Sequence, residues 1–291
     1  MLNFDLNILK ALESGRNTFF NFIFQIFTFL GEGPVAFAII FIFYFLIDKK
    51  FGRKFVYIFA TSISLNGVIK NFVKRVRPFK LEGENHITCL KESTATGYSF
   101  PSGHSQNVAT YSTTITYEYK KKWMLLVSIP LMLLVAFSRI YVGAHYPTDV
   151  ICGLAFGIGF SILFSILFDK VGEKKMFLIT IFGLLPFAIL FMILQDDNFA
   201  DLYKTYGLLV GGYLAILFED KYVNFSVDNK KWIRFIFGAG GAGVTYLLLS
   251  LLLKPLPVHG LLLMLLSFIR YGLVAFIGMG LMPYLHKKIL K

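Results

Sequence analysis

The sequence predicts an all-α fold, a polytopic bundle of transmembrane helices, and three observations lead to this fold class. Of the 291 residues, 56% are hydrophobic and only 16% are charged, whereas a water-soluble domain of this length needs far more polar surface. Apolar segments of about 20 residues, the length that crosses a bilayer, recur along the chain. The lysines and arginines cluster in the short connections between these segments, as they do in membrane proteins.

The basic composition does not indicate a nucleic-acid partner, although the formal net charge is +12, because the charges lie between apolar segments. Cys89 occupies a polar loop and Cys152 an apolar run, and these settings favour neither a disulfide nor a metal site. The first sixteen residues lack the apolar core of a secretory signal peptide. We therefore expect membrane lipids around the helices, no nucleic acid, no metal and no cofactor.

The chain begins with an amphipathic helix over residues 4–15, which we expect to lie at the membrane surface. Ten predicted spans follow, separated by turn signals and short charged connections. Their bounds are 17–30, 35–48, 54–74, 104–118, 122–138, 147–169, 176–194, 203–219, 232–252 and 260–285. A long polar loop, residues 79–100, joins the third and fourth spans, and a loop of that length is usually functional or mobile.

A basic cluster ends the third predicted span. Lys70, Lys74 and Arg77 are spaced i, i+4 and i+7, which predicts that they share one face of a helix. Pro78 then stops that helix. Three cations on one face favour an anionic ligand, because lysine offers a point charge and arginine a fork that matches phosphate oxygens. Interfacial residues that extend their charged ends toward water would give the same pattern.

A second cluster, Pro101-Ser102-Gly103-His104, begins the fourth predicted span. Pro101 and Gly103 shape a tight turn, and the hydroxyl group of Ser102 or Ser105 can cap the helix that follows. The backbone N–H groups at that helix start would face the same anion as the basic cluster. His104 lies at the mouth of the span, where a capped interfacial histidine is the alternative interpretation.

The third cluster lies between the fifth and sixth predicted spans. Arg139 ends the fifth span and His145 follows six residues later. Pro147 fits the first position of the next helix, which puts Asp149 in the first turn of that helix. Asp149 can then reach a ring nitrogen of His145, fix its tautomer and stabilise the imidazolium. A histidine oriented in this way is a competent nucleophile, although a carboxylate at a helix start is also favoured by the helix dipole.

Together the three clusters supply two histidines, at least three cations and one carboxylate, without the spacing of a metal-ligand set. Phosphoryl transfer depends mainly on positioning and on charge stabilisation of the phosphate oxygens, so this inventory is typical of metal-independent phosphoryl transfer. The combined pattern resembles the three-part signature of the type 2 phosphatidic acid phosphatase superfamily. That pattern is Lys70-x6-Arg77-Pro78, Pro101-Ser102-Gly103-His104 and Ser138-Arg139-x5-His145-x3-Asp149.

The resemblance, which covers residues 1 to about 170, implies a role for each signature residue. His145 attacks phosphorus to form a phosphohistidine and Asp149 orients it, a choice of nucleophile that the residues alone do not decide. His104 protonates the leaving group and then helps water to cleave the intermediate. The phosphate oxygens are held by Lys70, Arg77, Ser102, Gly103 and Arg139.

The function implied by the resemblance is hydrolysis of a lipid phosphomonoester or diphosphate by an integral membrane phosphatase. Residues 1–172 would form its six-helix core, and residues 173–291 would add about four spans without signature residues. One alternative is a phosphotransferase that uses the same site. Another is a protein that binds or transports lipid phosphates without hydrolysing them. The oligomeric state is open at this stage.

Counting the basic residues orients the predicted spans. With a cytoplasmic amino terminus, 19 of the 29 lysines and arginines fall in inner loops, as the positive-inside rule requires. Both termini are then expected in the cytoplasm, with the protein in the cell membrane. The three polar clusters are expected on the outer face.

Several other residues carry weaker signals. Arg270 lies within the last predicted span, where a charge often marks function, but a structural role, with an acidic or carbonyl partner or a position near the interface, is the favoured interpretation. His86 and His259 are loop histidines, and a structural role is favoured for both. The glycines in Gly238–Gly243 predict close packing between helices.

Overall fold

The computed structural model describes residues 2–194, 197–227, 230–253 and 256–289. Within these ranges the structure is helical and has no strand, which confirms the predicted all-α fold class. The α-helices are α1 (Leu2–Ser14), α2 (Thr18–Leu30), α3 (Gly33–Ile42), α4 (Lys49–Val73), α5 (Gly103–Tyr119), α6 (Trp123–Tyr141), α7 (Pro147–Val171), α8 (Glu173–Leu194), α9 (Ala200–Tyr222), α10 (Lys231–Leu253), α11 (Gly260–Phe276) and α12 (Met282–Ile289). Single π-helical turns, Phe43–Ile47 and Ile277–Leu281, extend α3 and join α11 to α12.

Six helical segments among the described residues are long and apolar enough to cross a membrane. They begin at Lys49, Trp123, Pro147, Glu173, Lys231 and Gly260. A seventh candidate is the pair formed by α2 and the α3 segment, which is bent by 52°. The multi-pass membrane architecture is thereby confirmed, and helices cover all ten predicted spans. The fourth and eighth predicted spans, α5 and α9, are more polar than the six, because α5 includes buried hydroxyl and amide side chains and α9 carries five charged residues.

The first predicted span, residues 17–30, does not cross as an independent helix, so the predicted placement of the amino terminus opposite the polar clusters is wrong. Helix α2 has 13 residues, or about 20 Å at the rise of an α-helix, whereas the hydrocarbon core is about 30 Å thick. Moreover, the carboxylate of Asp5 in α1 accepts hydrogen bonds from Arg75 and Thr148. Helix α1 therefore lies beside the clusters.

The chain divides into two compact units, of which the first comprises Met1–Ala36 and Leu65–Ile166. Its helix α6 packs against α2 and α5. A small apolar core joins Leu6 and Leu9 of α1 to Ile87 of the long loop and to Tyr146. This core fixes the amino-terminal helix against the long loop and against the segment that carries the third polar cluster.

Within this first unit, glycines let α7 approach α5 closely. A Cβ atom on Gly153 would lie 2.6 Å from the carbonyl oxygen of Ser102, and one on Gly157 would lie 2.6 Å from that of Gln106. Real Cβ atoms do not tolerate such distances, so the close approach requires glycine at both positions. The packing brings the second polar cluster against the first turns of α7, where the third cluster ends.

The second unit comprises Phe37–Ser64 and Leu167–Lys291. Its helices α9 and α11 touch along their backbones, since a Cβ atom on Gly207 or Gly211 would lie within 2.2 Å of a carbonyl oxygen of α11. In the glycine run, Cβ atoms on Gly238 and Gly241 would lie 2.5 and 2.3 Å from side-chain atoms of Phe45 and Met282, whereas those on Gly240 and Gly243 would meet nothing within 4 Å. The predicted close packing is therefore confirmed at two of the four glycines. Arg53 bridges Glu173 of α8 and Asp220 of α9.

Candidate active site

The first cluster is arranged differently from its prediction as one helix face. Lys70 lies in the last turn of α4, and its Nζ donates to the carbonyl oxygen of Tyr98 at 2.8 Å. The helix ends at Val73 because Lys74 takes a left-handed conformation with φ of 51°, which turns the chain away. Lys74 is therefore exposed, and Arg77 lies on extended backbone beyond the helix.

Arg77 is buried and fixed by the backbone of two loops. Its Nε donates to the carbonyl oxygen of Gly97 at 2.9 Å and its Nη2 to that of Thr96 at 2.6 Å. Its Nη1 reaches the carbonyl oxygen of Ala144 at 3.0 Å and Nε2 of His145 at 3.1 Å. The first and third predicted clusters thus meet at this guanidinium.

The contact with Arg77 defines the tautomer of His145. A guanidinium N–H can only donate, so Nε2 of His145 accepts and the ring proton sits on Nδ1. That Nδ1 lies 3.5 Å from both Oδ2 of Asp149 and Oγ of Ser99. Burial lowers the pKa of His145, and the nearby positive charges of Arg77, Lys70 and Arg139 lower it further, with a smaller contribution from His104. The neutral ring therefore presents the lone pair of Nε2 toward the cationic groups.

Asp149 is fully buried and receives more partners than the sequence indicates. Its Oδ2 accepts from Oγ of Ser99 at 2.5 Å and from the backbone N–H of Tyr146 at 3.0 Å. Its Oδ1 accepts from Nη1 of Arg75 at 2.6 Å. Sequence reasoning missed Ser99 and Arg75, although both lie within three residues of signature positions, and that proximity was the available signal.

The second cluster caps α5 as predicted. Oγ of Ser102 accepts from the backbone N–H of Ser105 at 3.4 Å and from its hydroxyl group at 2.9 Å. The backbone N–H of Ser102 donates to the carbonyl oxygen of Asp149 at 3.0 Å, which ties this turn to α7. Gly103 is the first residue of α5, so its N–H group belongs to the helix end that favours anions.

Arg139 and His104 leave buried polar atoms without partners among the described residues. Arg139 is fully buried, and its Nη1 donates to Oγ1 of Thr28 at 2.5 Å. Its Nε and Nη2, together with Nε2 of His104, are buried without a hydrogen-bond partner. A buried guanidinium without an anion is costly. A phosphate group, which has several acceptor oxygens, would satisfy these nitrogens.

The turn between α2 and α3 covers His104. A Cβ atom on Gly31 would lie 2.8 Å from Cβ of His104 and 2.8 Å from a methyl group of Val135. Glu32 in the same turn pairs with Lys91 of the long loop at 2.9 Å. Helix α2 thus contributes both Thr28 and the backbone that encloses His104, and neither was expected from the sequence.

The described residues contain no group of three or more His, Cys, Asp or Glu side chains that could hold a metal ion. Both cysteines are free thiols. The donor set at the site consists mainly of cations and N–H groups, and this chemistry suits an anion.

Two family models match the chain. The model described as the PAP2 superfamily matches residues 51–173. The model described as PAP2 superfamily phosphatase, transmembrane extension, matches residues 203–290. The three polar clusters all lie in the first range.

Similar proteins include membrane phosphatases. An undecaprenyl-diphosphatase from Sulfolobus acidocaldarius is 38% identical over 38% of this chain and 51% of its own length. A phosphatidylglycerophosphatase B from Bacillus subtilis is 30% identical over 53% of this chain and 77% of its own length. The crystal structure of a transmembrane PAP2-type phosphatidylglycerolphosphate phosphatase from B. subtilis has 28% identity and a TM-score of 0.48, covering 59% of this chain and 88% of that one. This chain therefore spans about half of the Sulfolobus protein.

Proposed function

We propose that this chain, which belongs to the PAP2 superfamily, is an integral membrane phosphatase that hydrolyses a lipid phosphomonoester or diphosphate through a phosphohistidine intermediate. The observation that carries the proposal is the group of buried, unpartnered nitrogens on Arg139 and His104. In the same unit, Arg77 donates to Nε2 of His145. A phosphate group could accept hydrogen bonds from these nitrogens, and its charge would offset that of the two buried guanidinium groups.

The proposed reaction has two steps. Nε2 of His145 attacks phosphorus and the bond to the leaving oxygen breaks, while His104 gives that oxygen a proton. His104 then takes a proton from water, whose oxygen attacks the phosphohistidine and releases inorganic phosphate. Asp149 stabilises the imidazolium of His145 during both steps.

The remaining signature residues hold the phosphate oxygens in this proposal. The guanidinium groups of Arg77 and Arg139 and the ammonium group of Lys70 offset the charge that develops on these oxygens. The N–H group of Gly103, with Ser102, would bind a further oxygen at the start of α5.

We place the phosphatase core at residues 1–172 and treat residues 173–291 as an additional transmembrane region. Substrates to be compared are undecaprenyl diphosphate, phosphatidylglycerophosphate and phosphatidate. The names of the relatives support the first two lipids as candidates. A lipid can approach sideways between helices and present its headgroup to the site.

The test measures phosphate release from these lipids by the purified full chain in detergent with a metal chelator. We expect at least a hundredfold loss for His145→Ala and for His104→Ala, because removal of a nucleophile or general acid typically costs that much. His86→Ala is the matched control, since His86 is exposed and its Nδ1 lies 3.1 Å from the carbonyl oxygen of Leu81, in the long loop. Activity of His145→Ala near the wild-type level would contradict the proposal.

The same variants separate the rival functions. In the detergent assay, a phosphotransferase would yield a phosphorylated lipid or sugar acceptor in place of free phosphate. After reconstitution into vesicles, a transport protein would still move lipid phosphates between the leaflets when it carries His145→Ala. Trapping of phosphate on His145 in wild type, and inhibition by vanadate, would support hydrolysis through the covalent intermediate.

We further propose that the site and α1 both face away from the cytoplasm of the cell membrane, with the carboxyl terminus inside. With α1 on the outer side, Lys10 and Arg16 are no longer inner residues, and 17 of the 29 basic residues remain in inner loops. This distribution still satisfies the positive-inside rule. Exposed Lys10 and Lys121 allow a test as single cysteines in a chain without Cys89 and Cys152. A membrane-impermeant maleimide should label Lys10→Cys in intact cells, and Lys121→Cys only after permeabilisation.

A further inference from the structure

Arg75 is held between two fully buried carboxylates. Its Nη1 donates to Oδ1 of Asp149 at 2.6 Å, and its Nη2 donates to Oδ2 of Asp5 at 2.8 Å. The same Nη1 reaches Oγ1 of Thr148 at 2.6 Å, and this hydroxyl donates to Oδ2 of Asp5 at 2.7 Å. The guanidinium also stacks on the ring of Tyr146, 3.9 Å from its centroid.

These contacts extend from α1 to the proposed nucleophile. Asp5 binds Arg75, Arg75 binds Asp149, and Oδ2 of Asp149 lies 3.5 Å from Nδ1 of His145. Both carboxylates are 0% exposed, so their interactions are weakly screened by water. The cluster is therefore placed to influence the charge that His145 acquires.

The charges in this cluster do not cancel. Arg75 alone would neutralise Asp149 and weaken its attraction for an imidazolium. Asp5 adds a second negative charge, so that two carboxylates and one guanidinium leave a net charge of −1 behind His145. The positive charge that His145 gains when it attacks phosphorus then has a counterion.

We propose that Asp5 and Arg75 are positioning residues for the reaction at His145, with Arg75 orienting Asp149 and Asp5 preserving the negative charge of the cluster. This inference rests on the proposed function of the site. It assigns α1, which lies outside the matched family range, a part in catalysis.

Other charged groups face His145 and stay constant in the test. Arg77 contacts its Nε2, and Lys70, Arg139 and His104 act on it from α4, α6 and α5. These four residues are not altered in the test. Asp5 and Arg75 are connected to His145 through Asp149, so their substitution changes the charge near Nδ1 of His145 and leaves the groups near Nε2 unaltered.

The test compares the acid limb of kcat/KM in four enzymes on one lipid substrate. Arg75→Gln leaves a net charge of −2 on the cluster and should shift the midpoint of the acid limb to higher pH by about one unit. Asp5→Asn leaves a net charge of zero and should shift this midpoint to lower pH by about half a unit, since Asp5 is farther from His145. The double variant restores −1 and should return the limb to within about 0.3 unit of wild type.

Rescue and turnover distinguish positioning from simple stabilisation. Arg75→Lys keeps the charge and should restore the limb, although its point charge cannot bridge both carboxylates as well. We expect kcat to fall about tenfold in Asp5→Asn and Arg75→Gln while KM changes less than about threefold, because neither residue touches the substrate. Glu13→Gln is the matched control, since Glu13 lies on α1 but contacts Thr88 and Arg16.

Titration of His145 by NMR, with labelled histidine in detergent, gives the same ranking without substrate. The pKa of His145 should be highest in Arg75→Gln, intermediate in wild type and in the double variant, and lowest in Asp5→Asn. Any other order, or a limb shift in Glu13→Gln equal to that in Asp5→Asn, would overturn the inference. Failure of the proposed function would show differently, as no phosphate release by wild type from any substrate.

Discussion

Arg139 in the first unit and Arg270 in the second are both arginines within apolar helices, but their surroundings differ. Arg139 is fully buried, and the like charge of Arg77 and the opposite charge of Glu32 act on it. Arg270 is half-buried and lies over the rings of Tyr246 and Tyr271, 5.2 and 4.9 Å from their centroids. It also reaches the hydroxyl groups of Ser250 and Tyr271.

The two arginines differ in how well the described residues satisfy them, since Arg139 leaves both Nε and Nη2 buried without a partner, whereas Arg270 leaves Nε. Aromatic faces and partial access to the surroundings stabilise the guanidinium of Arg270 without an anion. Arg139 has a short hydrogen bond to the hydroxyl group of Thr28 but two unpartnered nitrogens, so an anion at the site would stabilise it further. This contrast favours the structural interpretation of Arg270 and a ligand-binding role for Arg139.

The largest expected effect tests this contrast directly. Arg139→Ala should lower kcat/KM for phosphate release at least about a hundredfold, since it removes charge stabilisation from the transition state. Arg270→Ala should stay within about threefold in the same detergent assay. Equal losses in the two variants would remove the distinction between the two arginines.

The next effect concerns the backbone contact between α9 and α11 in the second unit. Gly211→Ala would place a Cβ atom 2.1 Å from the carbonyl oxygen of Gly272, so we expect a loss of about 1–3 kcal/mol in the free energy of unfolding. Gly183→Ala is the control, because nothing lies within 4 Å of its added atom. Thermal unfolding in detergent should show a lower Tm for Gly211→Ala alone.

A smaller effect is expected where a glycine touches the site itself. Gly31→Ala should displace His104 or Val135, which its Cβ would approach to 2.8 Å, and should lower kcat/KM about tenfold through misplacement of the proposed acid. Gly33→Ala meets no atom within 4 Å and should keep activity within about twofold. A normal rate for Gly31→Ala would show that the turn over His104 is compliant.

The smallest effect is a pH dependence of stability. Because burial depresses the pKa of His145 below its ordinary value of 6.5, the unfolded chain binds more protons than the folded chain just below pH 6.5. The contribution of His145 to the free energy of unfolding should be fully present above pH 6.5. It should decrease as the pH falls below this value, by at most about 1.4 kcal/mol per pH unit. Unfolding in denaturant at pH 7.5 and 5.5 measures the effect, and His145→Ala should reduce it. If the free energy of unfolding changes with pH as much in His145→Ala as in wild type, His145 is not the cause.

The helices of the fold could be predicted because apolar length and turn signals are local properties. The helix cap at Ser102 and the start of α7 at Pro147 followed from single residues. The prediction that Lys70, Lys74 and Arg77 share one helix face was wrong, since periodicity does not reveal the left-handed conformation of Lys74 that ends the helix. The prediction that residues 17–30 cross the membrane by themselves was also wrong, because composition does not distinguish a complete span from one arm of a bent helix pair.

The sequence by itself determined the membrane-embedded helices and the chemical groups of the site, since spacing and residue type are written along the chain. Tertiary structure alone decided which partners these groups acquire. Thr28 reaches Arg139 across 111 positions and Asp5 reaches Arg75 across 70. Such contacts depend on how helices pack and on the charge left uncompensated after packing, and no local pattern encodes either property.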